Sequence, residues 1–322
     1  MTEIQTTWGW LLAIDLFCSG LGAGAFIVVA VLALITRERF KSSVRFGAWA
    51  SVVVIVMGVL ALLLDVGQPL RAVVLFRSFV HLDSWMMRGA WLLFSAILVN
   101  GLFALLWTDR ALEWAGHRVK LVVAKRSIFR AILAVLGIAI NAGVAGYTGI
   151  LLSVLPFRPL WYTSLLPALF ITSALLTGVT LVATYVSLRE RGENVARLSM
   201  VLAILVVLTV VVEGILIALY LAEMRSGSAD TVRSLNLLTG GTLGVLFWGV
   251  AVALGLAVPF LAFGSHLYRW RTAPVAAIPW LGLVAGLAGA WTLRFAILSA
   301  GLPAMLASPA MQQALEGIKY LP

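Results

Sequence analysis

Charge is scarce in this chain, and so are the usual ligands of redox groups. Charged residues make up 11% of the 322 residues, against about 25% in a soluble globular domain. With a mean hydropathy of +1.06, the composition is that of an integral membrane protein. The single cysteine, Cys18, excludes an intramolecular disulfide and a cysteine-ligated iron–sulfur cluster on this chain. The three histidines, His81, His117 and His266, all fall in or beside connections between apolar segments. A bis-histidine haem needs histidines facing one another inside spans, so no haem and no redox metal is expected here. No lysine falls within a span, which excludes a retinal Schiff base. No nucleotide-binding or nucleophile-elbow motif stands in a suitable context.

What the chain does have is eight apolar segments, about Trp8–Ile35, Phe46–Leu64, Trp85–Trp107, Ile128–Leu152, Leu160–Leu188, Leu198–Ala222, Thr239–Gly264 and Ile278–Ala300. Each can cross a bilayer, which takes about 20 residues. The connections are short, so the reading is one all-α polytopic membrane domain over 1–322, with halves of about 1–155 and 156–322. The first segment follows a short end without basic residues and has no small-residue cleavage site, so it is read as an uncleaved span.

Basic residues alternate from loop to loop. The odd-numbered connections hold fifteen of the twenty-three, from Arg37, Arg39, Lys41 and Arg45 to Arg269 and Arg271. The even-numbered connections and the ends hold seven, and Arg294 lies inside the last segment. The positive-inside rule then puts the odd connections in the cytoplasm and both termini in the periplasm. This bias explains much of the net charge of +10 without nucleic acid. A short echo, Ser19–Gly24 against Ser173–Gly178, joins the first and fifth segments, but six small-residue positions do not by themselves establish a duplication.

Within this topology the intramembrane polar residues gather in the outer half. Asp15 sits in the first segment, ahead of Gly20, Gly22 and Gly24; Asp65 closes the second; Tyr147 lies near the end of the fourth. Glu213 is in the sixth and Arg294 in the eighth. A buried acid costs roughly 2.5–3.5 kcal/mol on insertion scales and commonly marks a functional path. Blander readings stand beside this one. Asp15 can hydrate at the interface, Asp65 can mark a helix-end turn, and Tyr147 can be an aromatic-belt anchor. Arg294 can snorkel outward or pair with Glu213. Asn100 and Asn141, in the inner half, read as helix–helix hydrogen-bonding residues.

A pocket of acids, a tyrosine and glycine-lined walls suits a quinone. That ligand needs a flat apolar slot, hydrogen bonds to two oxygens, and a carboxyl that exchanges protons as electrons move. A secondary transporter holding its substrate with Asp15, Glu213 and Arg294 is an alternative, with an inverted repeat and a midplane site as its expected marks. A purely structural membrane anchor is another, for which buried acids are unnecessary.

Several motifs resemble one known family. They are Trp8-x-x-x-x-Ala13-x-Asp15-Leu-Phe17-x-x-Gly20-x-x-Ala23-Gly24, Leu64-Asp65-Val-Gly67-Gln-Pro69-Leu70-Arg71, Arg88-Gly89-Ala90-Trp91, Ala145-Gly146-Tyr147-Thr148-Gly149, and Leu293-Arg294-Phe-x-Ile-Leu. Together they look like the polysulfide reductase membrane subunit (NrfD-like) family. The resemblance implies eight transmembrane helices as two four-helix bundles in the bacterial inner membrane, handling menaquinone or ubiquinone. It implies a ferredoxin-like iron–sulfur subunit docked at the periplasmic face, with a molybdopterin or multihaem catalytic subunit beyond. Carried over, Asp15 and Tyr147 contact the quinone, while Asp65, Gly67 and Gly20 line its pocket. Asp15, Glu213 and Arg294 form the proton path. Gln68 departs from the family pattern, where a basic residue is common.

Overall fold

The computed structural model describes residues 8–65, 84–109, 113, 125–190, 194–268 and 277–304, the side chains of 266 and 268 excepted. Its described residues form helices and connections, with no strand among them. Eight helices are long and apolar enough to cross a membrane. These are α1 (Trp10–Thr36), α2 (Lys41–Asp65), α3 (Trp85–Leu106), α4 (Arg126–Ser153), α5 (Leu165–Arg189), α6 (Val195–Arg225), α8 and α9 (Ala277–Ala300). The seventh span, α8, starts as Gly241–Val245, widens to π-helical spacing over Leu246–Ala257 and continues as Val258–Tyr268. Pro259 stands two residues beyond the end of the widened stretch at Ala257. It has no N–H for the i→i−4 ladder, and its ring crowds the preceding turn.

A short helix absent from the sequence-based expectation, α7 (Ala229–Thr239), precedes α8. Ser228 caps it by accepting from the Thr231 N–H. Its buried residues Thr231, Ser234, Leu235 and Leu238 follow the one-sided spacing of a helix lying on a surface. The fifth span also begins later than expected. Residues 154–164 form an irregular connection, held by Tyr220 Oη donating to the Leu160 carbonyl at 2.8 Å.

Helix α1 is the centre of the molecule. Of its most apolar stretch 78% is buried, against 33% for α2 and α6. It packs on α2, α4, α5 and α9, while α2 meets α3 and α3 meets α4. On its other side α5 meets α6 and α9, and α8 meets both α6 and α9. Backbones of α1 and α5 touch: a Cβ on Gly24 would sit 1.9 Å from the Ala174 carbonyl oxygen, and one on Gly178 would sit 2.2 Å from the Gly24 carbonyl carbon. Only glycine allows this approach.

The residues of the short sequence echo thus face one another. The same spacing that carries Ser19 to Ser173 carries Trp10–Thr36 onto Leu165–Arg189 and Lys41–Asp65 onto the first part of Val195–Arg225. It also brings α3 onto the start of α8 and α4 onto α9, within a few residues.

Polar clamps hold the helices away from the candidate site. Asn100 and Asn141 exchange side-chain amide hydrogen bonds at 2.8 and 3.1 Å, and Asn100 also donates to Ser51 at 2.8 Å. These tie α2, α3 and α4 together, as expected for helix–helix asparagines. At the face where α1 ends, called the far face below, Arg130 is buried. Its Nε and Nη2 donate to the Leu106 carbonyl at 2.9 and 2.7 Å, and Nη1 donates to Glu38 at 2.6 Å. Its guanidinium lies 4.1 Å from the Trp107 ring centroid. Arg130 therefore staples α3, α4 and the α1–α2 connection.

Candidate functional site: two polar clusters on opposite sides of α1

Five elements bring their polar residues toward the near face, where α1 begins, but they do not form one cluster. The first cluster belongs to α1–α4. Asp15 is 3% exposed and accepts a hydrogen bond from Ser19 Oγ, one turn on, at 3.1 Å. Such burial removes the hydrated-end reading of this acid. Its Oδ1 lies against α2, where a Cβ on Gly58 would be only 3.1 Å away. Tyr147 of α4 is 7% exposed and therefore faces the protein, not an aromatic belt. Its ring tip occupies the place that a Gly89 side chain would need: a Cβ there would fall 1.8 Å from Tyr147 Cζ. Asp15 acts electrostatically on Tyr147, and Asp65 acts on Asp15. Asp65 itself is exposed at the end of α2, with Oδ1 toward Gly9. Gly67 lies outside the described residues.

The second cluster lies between α1, α5, α6 and α9. Arg294 is 1% exposed, so it does not snorkel. Its Nη1 donates to Ser173 Oγ at 3.1 Å and to the Ala290 carbonyl at 3.0 Å, and Nη2 donates to the Phe170 carbonyl at 3.3 Å. The guanidinium stands 4.9 Å from the Phe170 ring centroid. Gly20 makes room for it, since a Cβ there would lie 2.9 Å from Nη2. Glu213 is 2% exposed and belongs to the same cluster. Among the described residues Glu213 and Arg294 form no direct ion pair. Of the two readings that the sequence left open for Arg294, burial removes the first, and Ser173 with two backbone carbonyls takes the place of a direct ion pair. Glu213 Oε2 and Arg294 Nε are buried without hydrogen-bond partners.

Cys18 is buried on α1 and feels both Asp15 and Arg294. It marks the short distance that separates the two clusters. Above them, Trp161 closes the near end of the second half. Its Nε1 donates to the Ile297 carbonyl at 2.8 Å, its ring stacks on Trp8 at 5.2 Å, and Arg158 lies 4.9 Å from its centroid.

This arrangement of a buried acid, a buried tyrosine and glycine-cleared contacts extends through a chain whose residues 2–305 match the family model described as polysulphide reductase, NrfD. The chain belongs to the NrfD polysulphide reductase family. It is 29% identical to a polysulfide reductase polypeptide of Wolinella succinogenes over 308 residues, covering 91% of this chain and 94% of that one. It is 26% identical to protein NrfD of Escherichia coli, covering 91% of this chain and 94% of that one. A selenate reductase subunit of Mesobacillus selenatarsenatis is 22% identical, with 80% of this chain and 66% of that one covered. With its eight apolar helices, this NrfD-family chain is a multi-pass protein of the bacterial inner membrane.

Sequence reasoning missed two contributors in this NrfD-family chain. Ser173 was quoted only for its echo of Ser19, although a hydroxyl one turn from a small-residue contact is a natural bridge. Gly58, the contact of Asp15, carries no signal beyond being a glycine in the middle of an apolar helix.

Proposed function

We propose that this chain is the membrane subunit of a reductase complex and exchanges electrons between the quinone pool and a periplasmic partner. The observation that carries the reading is a carboxyl and a phenol, Asp15 and Tyr147, both buried near one end of the spans. A carboxyl and a phenol in apolar surroundings are the donor and acceptor set that the two oxygens of a quinone head group require. Leu12 and Leu16, buried on the same helix, supply apolar surface for such a ring. The names of the relatives as polysulfide and selenate reductase components support the reading at the level of the complex.

A quinol, when bound, supplies two electrons and two protons on oxidation. In this reading Asp15 takes or returns a proton at the head-group hydroxyl, and Ser19 steadies its carboxyl by donating to Oδ1. Tyr147 orients the ring by hydrogen bonding, its own position fixed by Gly89. Asp65, at the mouth, lines the pocket's outer side; Gly67 lies outside the described residues. Glu213, whose Oε2 has no hydrogen-bond partner among the described residues, carries protons deeper, and Arg294 keeps its own proton and supplies a fixed positive charge along that path. Gly20 serves this second cluster by giving Arg294 its place.

The electron partner is a ferredoxin-like iron–sulfur subunit at the periplasmic face, with a molybdopterin or multihaem subunit beyond it. The chain holds one cysteine, so the electrons leave through that partner. The loop charges support periplasmic termini. The helix contacts support two bundles of four spanning helices, α1–α4 and α5, α6, α8 and α9, joined along α1 and α5. The matched helix spacing in the two halves supports a parallel duplication. The test is quinol-dependent reduction of the iron–sulfur partner in the purified complex, with either menaquinol or ubiquinol. A complex that passes electrons from a soluble donor but from neither quinol overturns the proposal.

A further inference from the structure

The far-face half of the molecule carries a groove of about 450 Å³ that neither polar cluster uses. It runs between α1, α5 and α6. Its floor is apolar, with Val31, Val179, Leu198 and Val201 among the lining side chains, and Thr209 closes its inner end. On α1 the lining extends from Ile27 to Thr36, which at 1.5 Å per residue is about 14 Å. On α6 it extends from Leu198 to Thr209, about 16 Å. Each matches one leaflet of a hydrocarbon core that is about 30 Å thick. Val31 and Val201 are 40% and 48% exposed, so the groove opens sideways toward lipid.

Its mouth is different. Arg39 from the α1–α2 connection and Arg197 from the first turn of α6 both line it, beside Asn194. Both arginines are exposed, and no described carboxylate pairs with either. Glu38, next in sequence, is engaged with Arg130 and Arg126 instead. Helix α6 begins at Val195, so the positive end of its dipole opens at the same mouth. Two guanidiniums, an amide and a helix N-terminus at the head-group level, above a leaflet-long apolar channel, define a ligand with an anionic head and an alkyl tail.

We propose that this groove holds one anionic phospholipid of the leaflet at the far face, its phosphate between Arg39 and Arg197 and one acyl chain along α1 and α6. The lipid fills the cleft between α1 and α6, both of which pack on α5. A quinone head group fits the mouth less well, because a neutral carbonyl gains less from two guanidiniums than an anionic phosphate does and no group there exchanges a proton.

The experiment is native mass spectrometry of the delipidated full-length chain in detergent, offered phosphatidylglycerol and phosphatidylcholine with the same acyl chains in equal amounts. Each arginine near an anionic head group contributes about a fivefold factor, so phosphatidylglycerol adducts should exceed phosphatidylcholine adducts at least about tenfold. The double variant Arg39→Gln/Arg197→Gln should bring that ratio close to one. The separate variant Val201→Trp, which fills the channel and leaves the arginines, should lower both adducts. Equal binding of the two lipids by the unmodified chain overturns the proposal. So does a phosphatidylglycerol preference that survives the double arginine variant, adduct levels that Val201→Trp leaves unchanged, or displacement of phosphatidylglycerol by equimolar menaquinone.

Discussion

Ser173 Oγ accepts from the Arg294 guanidinium at 3.1 Å and fixes that cation in the cluster that also buries Glu213. The cation is otherwise held by the carbonyls of Ala290 and Phe170, so it is fixed independently of the acid. An acid beside a fixed cation, with one oxygen unpartnered, is better suited to carrying a proton than a sealed ion pair is.

This arrangement predicts a graded set of stabilities. Ser173→Ala should cost about 1 kcal/mol, the order of an interhelical hydrogen bond in a membrane. Arg294→Met should cost about 3–5 kcal/mol, because it leaves Glu213 buried without its cation. Arg294→Met/Glu213→Met should recover much of that loss. Denaturant unfolding of the purified chain in mild detergent measures these three and the single variant Glu213→Met, which completes the cycle for Arg294 and Glu213. Strict additivity of the two single losses would show that the residues are not coupled.

The contact between α1 and α5 predicts a steric effect. On Gly24 an added methyl would overlap the Ala174 carbonyl oxygen at 1.9 Å, which is backbone and cannot turn aside. Gly24→Ala should therefore cost about 3 kcal/mol. On Gly101, where a Cβ meets nothing within 4 Å, the same substitution should be neutral or stabilising. Thermal unfolding of the two variants side by side makes the comparison.

At the far face, the Arg130 guanidinium donates to Glu38 and holds its carboxyl below the usual range, with Arg126 adding to the effect. A depressed carboxyl stabilises the fold above its ordinary value of 4.5 and loses that contribution as the pH falls below it. Glu38→Gln should thus lower stability near pH 7 by up to about 1 kcal/mol, since the pair is partly exposed. The difference from the unmodified chain should vanish as the pH drops below 4.5. A difference that grows with acidification contradicts the assignment.

Tyr147 leans on Gly89, and this predicts a functional effect of a distant methyl. Gly89→Ala places a Cβ 1.8 Å from the Tyr147 ring and must push the ring away. Quinol turnover should fall about tenfold to a hundredfold, as for other small misplacements of a positioning group. Tyr147→Phe should not add to that loss if the two act through one ring. Full turnover in Gly89→Ala would remove Tyr147 from the site.

Much of this was legible in the sequence, and the part that was not has clear physical causes. The eight spans and the burial of Asp15, Glu213 and Arg294 follow from the cost of charge in an apolar run. Their division into two clusters was partly available too. Asp15 and Gly20 are five residues apart on one helix, which at 3.6 residues per turn separates them by about 140° around its axis. They cannot face one pocket, and Gly20 indeed serves Arg294. Helix α7 was missed because its signal is a Ser228 cap and a short one-sided pattern, easily hidden beside longer apolar runs. The partners of each α1 face, Gly58 on one side and Ser173 on the other, depend on tertiary packing that no local pattern encodes.

The central claim is that Asp15 and Tyr147 form the quinone head-group site. Quinol-driven electron transfer through the assembled complex in liposomes, for Asp15→Asn, Tyr147→Phe and the unmodified chain, tests it most directly. Turnover should fall about a hundredfold in Asp15→Asn, the scale of a lost general acid–base, with a smaller fall and a raised quinol KM in Tyr147→Phe. Electron transfer from a soluble donor to the partner subunit should be unchanged in both. Full quinol turnover in both variants contradicts the account.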